Sequence, residues 1–351
     1  LSLHDALPIC DGMRTGDDVV AQCGHAFTEV LRIAFQRVPQ FGRRAEKTHH
    51  GDARSDDGRG KGIAEEIRAR PLTQHVDDFL ADQLYTPEEH ASFDQDLAGL
   101  IQMIDPELAK TRPDQATALA SVIQLHNGPI TLSRSRYTED CLEEAIQQGL
   151  KQYIILGAGF DTFAFRRPDL VTQLEVFEID HPTTQALKRE RIAAAGWKIP
   201  TNLHFIPLDF AQESLTDTLL RSAYLPEKSS FFSWLGVTYY LTRDVIFATL
   251  QSIARITSKG SPIVFDYMDD DAFIPEKAEK RIQLMQWIAG QVGEPMKTGF
   301  DPLALDGDLK DLGFQLQEDL FPTEIDARYF QGRTDRYRAF EHVHFVRAVT
   351  V

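Results

Sequence analysis

A chain of 351 residues that is 42% hydrophobic and 26% charged can bury a full α/β core and carry a subdomain, which excludes a fibrous protein or one disordered throughout. Its formal charge of -16, with no concentrated basic stripe, repels phosphate, so neither nucleic acid nor an anionic membrane is an expected partner. Cys10, Cys23 and Cys141 are too few and too unevenly spaced for a disulfide framework or a metal site, no apolar run is long enough to span a bilayer, and the first residues lack the order of a secretory signal; the cytoplasm is the expected setting, without a metal.

Residues 1–62 are set apart from the fold. The opening LSLHDALPI reads as a translated sequencing adapter, which makes Leu1 to about Ile9 an expected artefact and puts the start at Met13 or elsewhere. Val30, Leu31, Ile33, Ala34 and Phe35 can form one short amphipathic helix, whereas Phe41 to Gly62, rich in Gly, Arg, Asp and His, has no apolar periodicity and is expected to be disordered. His49 and His50 have no further ligand at metal-binding spacing. Over residues 63–130 the apolar residues fall at helical spacing, as in Val76, Phe79, Leu80 and Leu84 and again in Leu97, Leu100, Ile101 and Ile104, with Pro87, Pro106 and Pro113 where helices would start. This segment predicts a small helical lid, and its run ATALASVIQL is expected to pack that lid's own core.

The third segment, residues 131–351, changes pattern after Arg136. An amphipathic helix over Thr138 to Leu150 leads into QYIILGAGFD, a short β-rich run ending in glycines. Strand-like runs LEVFEID, LHFIPLDF, SSFFSWLGV, SPIVFDYM, FQLQEDLF and HVHFVRAV follow, with helical segments between them. Seven strands alternating with helices predict a doubly wound, Rossmann-like α/β fold, its twisted and mostly parallel sheet covered on both faces. The last two strands are joined by PTEIDARYFQGRTDRYRAFE, which has no full helical pattern, so the seventh strand is expected to close the sheet antiparallel. Pro275 to Gly293 is an amphipathic helix large enough to help roof a site.

In such a sheet ligands sit beyond the carboxyl ends of the strands, so the turns there carry the chemistry. After strand one comes Gly157-Ala158-Gly159-Phe160-Asp161, where glycines allow close backbone approach, though a GxG alone also describes an ordinary tight turn. Strand two ends in Glu178-Ile179-Asp180, about twenty residues on, where a carboxylate can accept from both hydroxyls of a ribose; Asp180 can equally cap the helix that His181-Pro182 starts. Strand three ends in Asp209-Phe210, an acceptor for an adenine amino group beside an aromatic face, or a loop Asp beside a core Phe. Three strand ends with the right chemistry in the right order favour a nucleoside ligand, of the dinucleotide or S-adenosylmethionine kind.

From about Thr131 to Val349 the segments SRSRYTEDCLEEAIQQGLKQYIILGAGFDT, FEIDHPTTQALKRER, PLDF, FFSWLGVTYYLTR, VFDY and DARYFQGR resemble the leucine carboxyl methyltransferase-like family of class I S-adenosylmethionine-dependent methyltransferases, particularly its bacterial members. The resemblance implies that Arg134, with Arg136 as neighbour or substitute, pairs with the methionine carboxylate. It implies further that Gly157 and Gly159 lie against the amino acid part, that Asp161 receives the ammonium, that Asp180 holds the ribose with Glu178 beside it, and that Asp209 and Phe210 hold the adenine. Where such families often carry a Glu near the sulfonium, this chain has Leu235, which puts the hold on the methyl end in doubt.

Methyl transfer from a sulfonium is an in-line displacement, so the protein mainly aligns acceptor and methyl and excludes water. A carboxylate acceptor needs no general base; a hydroxyl does, and His181, Asp266 and Tyr239 are the candidates nearest in sequence. Tyr239, Tyr240 and Tyr267 follow strands four and five and can line an acceptor pocket or simply pack. Strand four lacks the Asn/Asp-Pro-Pro-Tyr motif used for amino acceptors, which favours an oxygen acceptor, on a small molecule rather than a protein C-terminus. Two alternatives compete: a catalytically impaired S-adenosylmethionine-binding protein, and a nicotinamide-dependent dehydrogenase. The latter is weakened by Thr162 in place of the third glycine and by Pro226 between Tyr224 and Lys228.

Overall fold

Seven runs, most of them rich in β-branched and aromatic residues, form the strands of one sheet: β1 (Gln152–Leu156), β2 (Glu175–Asp180), β3 (Leu203–Pro207), β4 (Ser230–Trp234), β5 (Pro262–Met268), β6 (Phe314–Leu320) and β7 (Val343–Thr350). They are seen in a computed structural model that describes residues 80–351 apart from Ala211 and Val292. The expectations placed on residues 1–79, including the adapter-like opening, His49 and His50, and Val76 and Phe79 of the lid, lie outside the described residues.

The strand order is β3-β2-β1-β4-β5-β7-β6. β1 to β5 pair in parallel, and β7 runs antiparallel between β5 and β6, the closing strand expected from the sequence. β1, β4 and β5 are buried at every position, which is why they read as largely apolar runs. Alternation sends Tyr153, Ile155, Phe231 and Val264 into one core layer and Ile154, Leu156, Phe232 and Phe265 into the other.

Helices cover both faces of the sheet and make up the segment expected to be a lid: α1 (Pro87–Gly99), α2 (Gln115–Val122), α3 (Gly128–Gln147), α4 (Pro182–Ala194), α5 (Arg243–Ile256), α6 (Lys280–Gln291) and α7 (Pro322–Tyr329). The N-terminus of α1 is a capping box, with Thr86 Oγ1 accepting from the Glu89 amide and Glu89 from the Thr86 amide, and Pro87 opening the first turn. Ala118 and Val122 of α2 pack with Leu97, Ala98 and Ile101, so the run ATALASVIQL fills the lid core as expected.

Two elements differ from the sequence expectation. Helix α3 starts at Gly128, ten residues before the expected Thr138, and joins α2 through a π-helical turn, Ile123–Asn127. Its face is buried almost all round from Gly128 to Glu143, so no polar stripe marks its phase. Gly128 is required there, since a Cβ would lie 2.8 Å from the Ile123 carbonyl and 2.9 Å from the Tyr337 ring. The second is α7, in a segment read as irregular; at 8 residues it is too short to show a period.

Helix α3 also braces the turn after β1. Glu139 accepts from Arg166 at 2.6 Å and Arg167 at 2.7 Å, and Arg167 reaches Glu143 at 2.8 Å, with all four side chains nearly buried. Removing the shared carboxylate leaves two buried guanidinium groups short of a partner. Glu139→Ala is therefore expected to lower the unfolding free energy by about 3–5 kcal/mol in urea denaturation; a loss under about 1 kcal/mol, the size of an exposed pair, would show that this network does not brace the turn.

Candidate active site

The chain leaves β1 for β2 on one side and reaches β4 on the other, and the crevice between diverging turns is where this topology places ligands. A cleft of about 530 Å³, counting space open to solvent, lies there. Helix α3 contributes Thr131, Arg134 and Ser135, one i, i+3, i+4 face; β1 and its turn contribute Ile155 to Ala158, Phe160 and Asp161; β4 contributes Ser233, and the turn after it Leu235.

Gly157 and Gly159 both have positive φ, 64° and 51°, a conformation that costs glycine little. The amides of Gly157 and Ala158 donate to the Ile179 carbonyl of β2 at 2.8 and 3.1 Å. Asp180, at the tip of β2, accepts from the Gly159 amide through one oxygen and from the His181 amide at 2.6 Å through the other. One carboxylate thus knits together the turns after β1 and β2. Asp161 lines the cleft and accepts from the Phe163 amide at 2.6 Å, which fixes its orientation at the start of the next helical turn.

The two arginines separate by helix phase. Arg134 lines the cleft, donating from Nη1 to Asp266 Oδ2 at 3.2 Å and to the Tyr239 hydroxyl at 3.3 Å. Two residues on, Arg136 points to another side of α3, donating to Asp140 at 2.8 Å and only 1% exposed. Burial pushes the Asp140 carboxyl up to about 6, although Arg136 pulls it down. Arg136 is not brought to the cleft. Beyond β4, Leu235 forms part of the apolar wall, and Gly236, with φ 69°, lies flat under the Arg134 guanidinium.

The remaining expected residues are divided. Asp209 and Phe210 follow β3 outside the cleft lining, half buried; Asp209 accepts from Gln212 at 2.8 Å, and Phe210 lies 6.1 Å from the Trp234 ring across the β4 end. Glu178 sits in the core and binds Lys188 of α4 at 2.5 Å; burial pushes its carboxyl up to about 7, with Lys188 partly offsetting this. His181 is the N-cap of α4, its Nδ1 accepting from the Thr183 amide, so the capping role weighed for Asp180 falls to its neighbour. Tyr267 is a correction. Alternation along β5 turns Asp266 toward Arg134 and Tyr267 to the other face, where it donates to Asp319 at 2.9 Å and stacks on His344. Burial, then Asp319, hold its hydroxyl well above the ordinary phenol range.

Sequence reasoning missed Thr131, Ser135 and Ser233 as lining residues and weighed Asp266 only as one of three candidate bases for a hydroxyl acceptor. Asp266 is fully buried: it accepts from the Gly236 amide at 2.6 Å as well as from Arg134. A signal was present, because a carboxylate inside the apolar run IVFDYM must be compensated by partners.

A parallel sheet of this order with an antiparallel seventh strand is that of a class I S-adenosylmethionine-dependent methyltransferase. The leucine carboxyl methyltransferase family matches residues 63–254, and the chain belongs to that family. The match begins in the segment read as the lid and ends in α5. Two relatives carry the name of S-adenosyl-L-methionine-dependent methyltransferases. YktD of Bacillus subtilis (strain 168) is 37% identical over 274 residues, covering 78% of this chain and 90% of that protein. A Parafrankia protein is 26% identical over 154 residues, covering 44% of this chain and 49% of its own. A solved O-methyltransferase family protein from Burkholderia thailandensis is similar at 12% identity and a TM-score of 0.42, over 83% of this chain and 68% of that one. The protein is an S-adenosylmethionine-dependent methyltransferase, which sets aside the nicotinamide reading. Consistent with this, Tyr224 and Lys228 share no helix. Among the described residues no helix is long and apolar enough to cross a membrane.

Tyr267→Phe tests the placement of that side chain. It is expected to leave methyl transfer within about twofold of wild type and to cost stability by about 0.5–1.5 kcal/mol, the worth of one hydrogen bond; a fall of tenfold in kcat with unchanged stability would return Tyr267 to the acceptor pocket.

Proposed function

We propose that the protein transfers the methyl group to an oxygen acceptor, a carboxylate on a small molecule before any other, with a protein C-terminal carboxylate as the second member of that class. In this reading the cleft holds the cofactor through groups matched to its parts. Arg134 meets the methionine carboxylate, where a planar guanidinium offers paired donors. Asp161 receives the ammonium, and the turn at Gly157 and Gly159 lets the backbone come close. Asp180 accepts from the ribose hydroxyls, and Asp209 and Phe210 border the adenine. The fit is supported by the donor set itself: one cationic and one anionic side chain line the same cleft, as a zwitterionic amino acid end requires.

The bound sulfonium supplies an activated methyl and a leaving group that needs no acid. What the chain's residues do is bind, orient and exclude water. Leu235 and Ile155 give the cleft an apolar wall, and α3 closes one side of it. The observation that favours a carboxylate acceptor is the state of the three candidate bases. Asp266 is committed to Arg134 and Gly236, His181 caps α4, and Tyr239 already accepts from Arg134. A hydroxyl acceptor would need one of them to take a proton; a carboxylate acceptor would not.

Two measurements check this reading. A set of carboxylate, hydroxyl and amine acceptors incubated with labelled S-adenosylmethionine is expected to yield a methyl ester, identified by product mass and by release of methanol in mild base. A base-stable methyl product would overturn the carboxylate assignment. Asp180→Ala is expected to weaken cofactor binding by about tenfold or more in isothermal titration, together with a stability loss of about 1–3 kcal/mol for the amides left without an acceptor; unchanged affinity would remove Asp180 from the ribose.

A further inference from the structure

We propose that Asp266 is the positioning residue of the cofactor cleft: one buried carboxylate that holds Arg134 of α3 and the Gly236 turn of β4 in a single arrangement, so that the guanidinium is presented before the cofactor arrives. The inference rests on the reading of Arg134 given above and adds to it the group that sets its geometry.

Asp266 lies in the middle of the sheet on β5 and is 0% exposed. It does not line the cleft; it stands behind the residues that do. Oδ2 accepts from Arg134 Nη1 at 3.2 Å and Oδ1 from the Gly236 amide at 2.6 Å, while its own carbonyl accepts from Thr238 Oγ1 at 2.6 Å. Three bonds therefore tie β5 to both walls of the cleft, the helix on one side and the strand-four turn on the other. The Arg134 guanidinium lies so close over Gly236 that an added Cβ would sit 2.7 Å from Nη1, 2.8 Å from Nη2 and 3.0 Å from Cζ. The glycine is required twice, by this contact and by its φ of 69°. Tyr239, just past the same turn, adds its hydroxyl at 3.3 Å from Nη1.

This arrangement answers a physical difficulty. A long arginine side chain has many rotamers, and ordering it only on binding would cost affinity. Held by Asp266 at one nitrogen and laid over Gly236, it is ordered before a carboxylate reaches the cleft. Removing the negative charge leaves the shape of the site nearly intact while loosening the guanidinium, which is the signature of a residue that acts through another.

The test is a double-mutant cycle on S-adenosylmethionine affinity in the full chain, read by isothermal titration, with thermal melts to confirm folding. Arg134→Gln is expected to weaken binding by about tenfold or more, Asp266→Asn by a similar factor, and the pair by no more than Arg134→Gln alone. Steady-state kinetics of Asp266→Asn should show a raised KM for the cofactor with kcat within about twofold at saturation, since ground-state binding is what is lost. If Asp266→Asn does not fold, Gly236→Ala replaces it, displacing the guanidinium without taking a charge from the core, with the same expected loss and the same silence in the Arg134→Gln background. Unchanged affinity in the folded Asp266 or Gly236 variant overturns the inference, and so do fully additive losses. Unchanged affinity in Arg134→Gln overturns the cofactor reading beneath it.

Discussion

Helix α3 is buried almost all round, yet it carries Arg134, Arg136, Glu139, Asp140 and Glu143 in that burial, and a charge taken out of water must be met by another. The rest of the catalytic half is arranged to meet them. Asp266 reaches from the central sheet to Arg134, Asp140 answers Arg136 from one turn along the same helix, and Arg166 and Arg167 come up from the turn after β1 to Glu139 and Glu143. Because Asp266 belongs to the sheet and Arg166 and Arg167 to the turn after β1, satisfying these charges fixes both the sheet and that turn relative to the helix. Breaking one of these pairs takes a charged partner from a buried ion, a larger cost than the worth of an exposed pair.

What was legible in the sequence follows from the same physics. The strands could be read because β1, β4 and β5 are buried on both faces and so tolerate little but apolar residues. The turn at Gly157 and Gly159 could be read because positive φ leaves few choices of residue. The strand-two carboxylate stood out because a charged residue ends an apolar run. The start of α3 was hidden because a helix buried all round has no polar face to betray its phase, and without the phase Arg134 and Arg136 are indistinguishable. The face that Tyr267 takes was misread for a related reason. On a strand, one residue decides between two faces, and only the register with β7 and the contact with Arg134 show which side carries the site.

The lid is held differently from α3. Glu89 binds Arg191 of α4, and Asp105 binds Arg336, but Glu89 and Arg191 are partly exposed and Arg336 is half exposed, so these pairs contribute little. The stronger hold is apolar: Leu84 packs with Ile192 of α4 and with Phe160, and the Tyr85 ring lies 5.7 Å from Phe160. Phe160 belongs to the glycine turn and lines the cleft. The lid thus leans directly on the wall of the site, and its position is coupled to the shape of that wall by contact rather than by charge.

Such a division of labour suits methyl transfer. The parts that set geometry, α3 and the strand tips, are locked by compensated buried charges that cannot slide without large cost. The helices before α3 are held instead by a few aromatic and aliphatic contacts, and exposing one such side chain costs about 1.5–3 kcal/mol. A sulfonium site needs both properties, since alignment of the methyl must survive while water is expelled and an acceptor is admitted. Phe160 joins the two, a wall residue of the cleft whose other side is the seat of the lid, so a displacement of the lid cannot leave the wall of the cleft unchanged.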